Sequence, residues 1–261
     1  SLSSIEFPSG LTTIENNAFL MCTTLEEVSI PSSVNKIENN AFWGCSSLTI
    51  LHYANEDATL GSGVFSGTHI ETAYISPNVA SVMERSYLVD LTINGATINA
   101  NAFSSCSHLE TVTFIGVTTI GNSAFFSCNS LQKVTINSLE AWCNIVFGNA
   151  NSNPLFYAHD LYIGDELVIN ASIPDTITRI NSHAFTGSSI KSLFIPNSVT
   201  EIGLNILAYC TDLETLSVPF IGYERGTVDD TSSHRNLGFF FITANYGNTQ
   251  QYTASNTYNW I

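Results

Sequence analysis

Positive charge is scarce in this chain. Seven Lys and Arg residues stand against 22 Asp and Glu in 261 positions, a formal net charge of -15. The seven are scattered, at Lys36, Arg85, Lys133, Arg179, Lys191, Arg225 and Arg235. No basic stripe is available to displace counterions from phosphates, so nucleic acid is not an expected partner. An anionic membrane surface is disfavoured for the same reason. Long apolar runs are also missing: none approaches the ~18 residues of a membrane-spanning helix, and no membrane insertion is expected in this region.

The chemistry-bearing motifs are missing too. No close Cys or His pairs occur at zinc spacing. The glycines occur singly, and neither G-x-G-x-x-G nor G-x-x-x-x-G-K is present. The adjacent carboxylates Glu56-Asp57, Asp165-Glu166 and Asp229-Asp230 lack the spaced oxygens of a calcium loop and read as solvated turns. His159-Asp160 lies near Cys143 in sequence, and a Cys-His nucleophile could be built from them. No local motif surrounds that cysteine, and packing or solvation explains each residue more simply. No catalytic residues, metal or cofactor are expected, and the chain is not expected to be an enzyme.

What the chain has instead is a repeat. Ala18-Phe19 returns at Ala41-Phe42, and each pair is followed at the same offset by a cysteine, Cys22 and Cys45. The pattern recurs at Ala102-Phe103 with Cys106 and at Ala124-Phe125 with Cys128, and at Ala184-Phe185 with Ser188. A fixed short period is the mark of a solenoid, in which each repeat is one turn of a coil and only its neighbours cover its apolar face. The best copy, Leu25 to Cys45, reads LEEVSIPSSVNKIENNAFWGC. Val28 and Ile30 share one face of a strand. Pro31, with no N–H to donate, ends the pairing. Val34 and Ile37 mark a short extended segment, and Asn39 to Phe42 a single helical or 3-10 turn. Phe19, Phe42, Phe65, Phe103, Phe125 and Phe185 are expected to form an internal spine.

Six cysteines would permit disulfides in a secreted chain. Five of them, Cys22, Cys45, Cys106, Cys128 and Cys210, hold one slot of the repeat, which Thr68 and Ser188 fill elsewhere. A slot that accepts Cys, Ser or Thr wants a small, weakly polar group, which favours free thiols. Adjacent turns could still bring two of them near bonding distance.

Strand slots begin near Leu2, Leu25, Leu48, Ile70, Leu88, Leu109, Leu131, Val168, Ile190 and Leu213. One repeat is shortened around Met83 to Tyr87. An interrupting cassette occupies about 137–167, in which Leu161-Tyr162-Ile163 could add a rung and Asn149 to Pro154 is turn-forming. From about 219 to 261 the pattern fades into a degenerate rung or cap. The whole, 1–261, is expected to be one repeat domain. It opens at Ser1 without Met or a leader, already in register, and is expected to be a piece of a longer exported protein.

The unit I-P-x-x-V-x-x-I-x-x-x-A-F-x-x-C-x-x-L resembles the BspA-like leucine-rich repeats, over about residues 1–135 and 168–218. Ile30-Pro31, Ile173-Pro174 and Ile195-Pro196 carry the I-P element. Tyr74 to Pro77 departs from it by one residue, and Phe114 to Val117 lacks the proline, so those rungs are expected to be distorted. The segment around Trp142-Cys143-Asn144 resembles a cassette that interrupts such arrays. The resemblance implies a right-handed leucine-rich-repeat solenoid, β-rich, with a parallel sheet on one face and short helical or 3-10 turns on the other. It also implies a secreted or cell-surface location and adhesion to a host extracellular-matrix or cell-surface protein, or other cells, without catalytic residues.

In such a fold the outward strand positions are the place for contacts. The slot between the two inward residues holds Ser29, His52, Tyr74, Thr92, Thr113, Thr135, Ser172, Phe194 and Ser217, with Tyr162 in the cassette; Glu27, Glu71 and Lys191 lie just before it. Exposed, rigidly held aromatics are typical anchors for proteins or glycans. Plain sheet surface, with aromatics pairing across strands, accounts for the same residues. His52, Tyr74, Tyr162, Phe194, Glu27, Glu71 and Lys191 are the candidate ligand-binding set. A structural spacer is the alternative function. A carbohydrate-active β-helix enzyme is a remote third, because no cluster of carboxylates recurs.

Overall fold

The computed structural model describes residues 2–220, 240–241 and 257–259. The chain falls into two compact units, Ser1–Val117 with Ala124–Leu131, and Thr118–Ser123 with Gln132–Ile261.

The first unit is a parallel β-solenoid. Strands Glu27–Ser29, Ile50–Tyr53, Thr72–Ile75, Asp90–Asn94 and Thr111–Ile115 lie side by side, all parallel. Val28, Leu51, Ala73, Leu91 and Val112 stand in one register column, and all are buried. Alternation along each strand then turns the residues on either side of them outward. A second ladder of two-residue strands, Thr13–Ile14, Lys36–Ile37 and Thr59–Leu60, forms another wall. Residues 2–5 form no strand, although a slot is expected at Leu2.

Proline sets strand length. The strand Glu27–Ser29 stops short of Pro31, whereas Thr111–Ile115, with no proline after it, runs for five residues and leaves Ile115 exposed. That is the distortion expected near Phe114 to Val117. At the other irregular site, Pro77–Val82 forms a 3-10 helix, and Met83, in the shortened repeat, bridges to Phe65.

The Ala-Phe segments are successive i→i−3 turns, not helices. Ala18 N donates to Glu15 O, Leu20 N to Asn17 O and Cys22 N to Phe19 O. Left-handed residues interrupt each run, at Asn17 and Met21, at Asn40 and Gly44, and at Asn101 and Ser105. Asn and Gly tolerate that conformation best, and a helix cannot propagate through it. Five of the six expected spine phenylalanines stack in two runs within the first unit, and Phe185 is buried in the second. Phe19 and Phe42 stack at 4.9 Å, Phe42 and Phe65 at 5.3 Å, and Phe103 and Phe125 at 5.6 Å.

The cysteine slot has a hydrogen-bonding role. Cys45 Sγ donates to the Phe19 carbonyl at 3.1 Å, and Cys128 Sγ to the Phe103 carbonyl at 3.2 Å, each one turn back. Thr68 Oγ1 makes the equivalent bond to Phe65 within its own turn. A small donor beside a buried carbonyl is what Cys, Ser and Thr have in common. All six cysteines are free thiols.

In the second unit, Lys133–Ile136 pairs in parallel with Leu161–Ile163, so the cassette does add a rung. A turn at Gly164 sends the chain back as Glu166–Leu167, antiparallel. Strands Asn170–Ser172, Ser192–Phe194 and Thr215–Ser217 form the next parallel ladder, with Thr257–Asn259 antiparallel to the last. The cassette itself is a helix over Leu139–Cys143, a 3-10 turn over Ala150–Ser152 and a short helix over Leu155–Ala158. Ser138 caps the first helix, its hydroxyl oxygen accepting from Ala141 N. Asn149 and Ser152 form a reciprocal capping box at the second, as the turn-forming composition implies. Most of 219–261, where a degenerate rung or cap is expected, lies outside the described residues.

Candidate functional site

In the first unit the outward positions form one registered column: Ser29, His52, Tyr74, Thr92 and Thr113. Two residues earlier runs a second column, Glu27, Ile50, Thr72, Asp90 and Thr111. Glu27 is exposed within its strand. Glu71 precedes its strand, with its backbone N–H on the Thr49 carbonyl. His52 and Tyr74 lie near-parallel, ring centroids 6.2 Å apart. The Tyr74 hydroxyl accepts from Asn94 Nδ2 at 2.9 Å, which holds the ring half-buried against the sheet. Asp90 Oδ1 accepts from Thr111 Oγ1 at 2.5 Å. This face is therefore hydroxyl-rich and acidic, with one His–Tyr pair at its centre.

In the second unit Tyr162 aligns with Thr135, and Lys133 Nζ sits 4.5 Å from the Tyr162 ring centroid. Lys133 also reaches Asp165 at 3.7 Å. Phe194 aligns between Ser172 and Ser217 and is 49% exposed. Lys191, just before that strand, pairs with Glu214 at 3.6 Å. Both members of that pair are exposed, so it adds little stability.

The candidates divide by unit. His52, Tyr74 and Glu27 share one face of the first, while Glu71 lies just before its strand and out of register with that column; Tyr162, Phe194 and Lys191 belong to the second, on two separate ladders. Asn94 and Lys133, which lie outside the candidate set, contact Tyr74 and Tyr162. Asn94 follows Thr92 by two and so shares its face, a signal the alternation already contains.

Cys143, His159 and Asp160 do not assemble into a nucleophilic site. Cys143 is fully buried and its thiol is pushed up to about 12 by desolvation, far from a thiolate at neutral pH. His159 is exposed, with Nδ1 2.6 Å from the Gly187 carbonyl, and Asp160 accepts from the Ser189 hydroxyl. Among the described residues, no three His, Cys, Asp or Glu side chains are grouped to hold a metal, and no helix is long and apolar enough to cross a membrane.

Parallel turns, an aromatic spine and inward aliphatic columns define a leucine-rich-repeat solenoid. The chain belongs to the BspA-type leucine-rich-repeat family, whose sequence model, "BspA type Leucine rich repeat region", matches in six copies over residues 1–89, 88–155 and 160–226. A leucine-rich repeat protein from Bacteroides ovatus is similar in structure, with 21% identity and a TM-score of 0.33 over 80% of this chain and 53% of that one. The T. pallidum leucine-rich repeat protein has 22% identity and a TM-score of 0.31 over 81% and 78%. A leucine-rich cell surface protein from Faecalibacterium prausnitzii has 24% identity and a TM-score of 0.30 over 88% and 53%. The chain spans about half the length of the Bacteroides and Faecalibacterium proteins. No curated protein sequence matches it.

Proposed function

We propose that the chain is a non-catalytic recognition region of a secreted or cell-surface protein, which holds an extracellular-matrix protein, cell-surface protein or glycan on the outward faces of its strands. The observation that carries this reading is the registered column Ser29–His52–Tyr74–Thr92–Thr113. Side chains on hydrogen-bonded parallel strands are preorganised, so a ligand orders little on binding. Membership of the repeat family, the Ser, Thr and Asn surface and the scarcity of basic charge support the same reading.

One observation favours a structural spacer as the second reading. Tyr74 and Tyr162 are each engaged by a neighbour, Asn94 and Lys133, as ordinary sheet surface would be.

An array of matrix proteins and glycans, probed with the chain and with its Tyr74→Ala and Phe194→Ala variants, tests the proposal. Binding lost in either variant supports recognition through the strands. Binding that ignores both removes these faces. No binding to any arrayed molecule favours the spacer, and turnover of a polysaccharide would revive an enzyme.

A further inference from the structure

We infer, resting on the recognition reading above, that the outward face around Phe194 in the second unit binds a neutral oligosaccharide. Phe194 lies on the middle strand of a parallel ladder, and its carbonyl accepts from Ile173 N at 2.9 Å. The backbone is thus fixed while the ring stands half exposed. Its registered neighbours are Ser172 and Ser217, too small to flank a ring. This separates it from the other outward aromatics. Tyr74 has His52 beside it and Asn94 on its hydroxyl, and Tyr162 has a lysine over its face.

The surroundings of the ring select the ligand. Two residues earlier on the same face stand Asn170, Ser192 and Thr215, in register, with Ser192 Oγ donating to Asn170 Oδ1 at 2.7 Å. The site is one apolar ring bordered by hydroxyls and an amide. The charges beside it, Lys191 and Glu214, face each other at 3.6 Å and cancel. A pyranose has the matching chemistry, with an apolar C–H face to lie on the ring and a rim of hydroxyls to exchange hydrogen bonds. A face whose neighbouring charges are paired and a ligand without charge also match, since the ligand strips no ion of its own of water. Among the described residues, a single exposed ring amid Ser, Thr and Asn is a small apolar centre for a protein partner, which typically covers about 800 Å² per side.

The test is calorimetric titration of the intact chain with neutral glucan, xylan and mannan oligosaccharides, and with hyaluronan oligosaccharides as the acidic comparison. At least one neutral oligosaccharide binds, Phe194→Ala weakens it by about tenfold or more, and Phe194→Trp retains it. Circular dichroism shows both variants folded, because the side chain is on the surface. Neutral-sugar binding that survives Phe194→Ala but is lost in Tyr74→Ala overturns this site and leaves strand-face recognition standing. Preference for hyaluronan, or no binding to any of the sugars, overturns the inference; protein binding on the array then decides the broader reading separately.

Discussion

The indole Nε1–H of Trp142 donates to the carbonyl of Ala184 at 2.8 Å, joining the cassette to the Ala-Phe turn 42 residues further on. Asn153 Nδ2 reaches the same carbonyl at 3.1 Å and that of His183 at 2.7 Å. Asn181 Nδ2 points back at the cassette, to the carbonyls of Asn144 and Ile145. The cassette is therefore a replacement turn, with Trp142 fully buried in the core. Trp142→Phe should cost about 1 kcal/mol, because Asn153 still serves the Ala184 carbonyl. Trp142→Ala should cost about 3–5 kcal/mol. Urea unfolding measures both.

Phe125 and Phe126 are chain neighbours with opposite fates. Phe125 is fully buried and stacked on Phe103, while Phe126 is 45% exposed. Phe125→Ala should cost about 3–5 kcal/mol, and Phe126→Ala should stay within about 0.5 kcal/mol of the parent. Thermal melts of the two variants separate them.

Gly187 has φ +80°, and a Cβ there would lie 2.8 Å from Phe156 Cα and 2.9 Å from the Leu155 carbonyl oxygen. Gly116 has φ +73° with nothing within 4 Å of the same atom. Gly116→Ala should cost about 1–2 kcal/mol from the left-handed backbone alone. Gly187→Ala should cost clearly more, since the obstructing atoms are backbone and cannot swing away. The difference between the two unfolding midpoints is the measurement.

Tyr53 is 1% exposed and its hydroxyl donates to the Val34 carbonyl at 2.8 Å. Burial pushes its pKa from 10.0 up to about 12. The unfolded chain releases this proton first, so the stability contributed is complete below pH 10 and is lost as pH rises towards 12. At 1.36 kcal/mol per unit, the fall is on the order of 3 kcal/mol. Denaturant titrations from pH 9 to 12 should show it, and Tyr53→Phe should remove that part of the slope.

Thiol reactivity should follow burial. Cys22 is partly exposed, whereas Cys45 and Cys143 are fully buried, with their thiols pushed up to about 11 and about 12 by desolvation. The Cys128 thiol is also pushed up, by its neighbour Cys106 and by burial. Alkylation with iodoacetamide at pH 8 should modify Cys22 first and should reach Cys45, Cys128 and Cys143 only after unfolding, as read by peptide mass spectrometry.

The fold was legible because its repeat is local. The Ala-Phe pair, the I-P stop and the Cys slot each recur within one turn, so Phe42 over Phe65 and Val28 beside Leu51 follow from spacing alone. The docking of Trp142 onto Ala184 was not legible, since no local pattern links residues 42 positions apart. Nor was the pairing of Glu56 Oε1 with Ala96 N, 40 residues apart, where Gly95 has no Cβ to block the carboxylate. Left-handed positions could be read at Asn17, Asn40 and Gly44 but not at Met21 or Tyr209, whose side chains disfavour that conformation. The candidate face was found by alternation; which aromatics lack a ring partner depended on Ser172 and Ser217, set by register rather than by the residues next to Phe194.

The direct test is an arginine scan of the outward columns against any ligand the array yields. Thr92→Arg and Thr113→Arg cover the first face, Ser172→Arg the second, and Phe126→Arg the turn side. Binding abolished by a column substitution and untouched by Phe126→Arg is the predicted result. Binding that tolerates all three column substitutions yet fails with Phe126→Arg would place the contact on the turns and contradict the account.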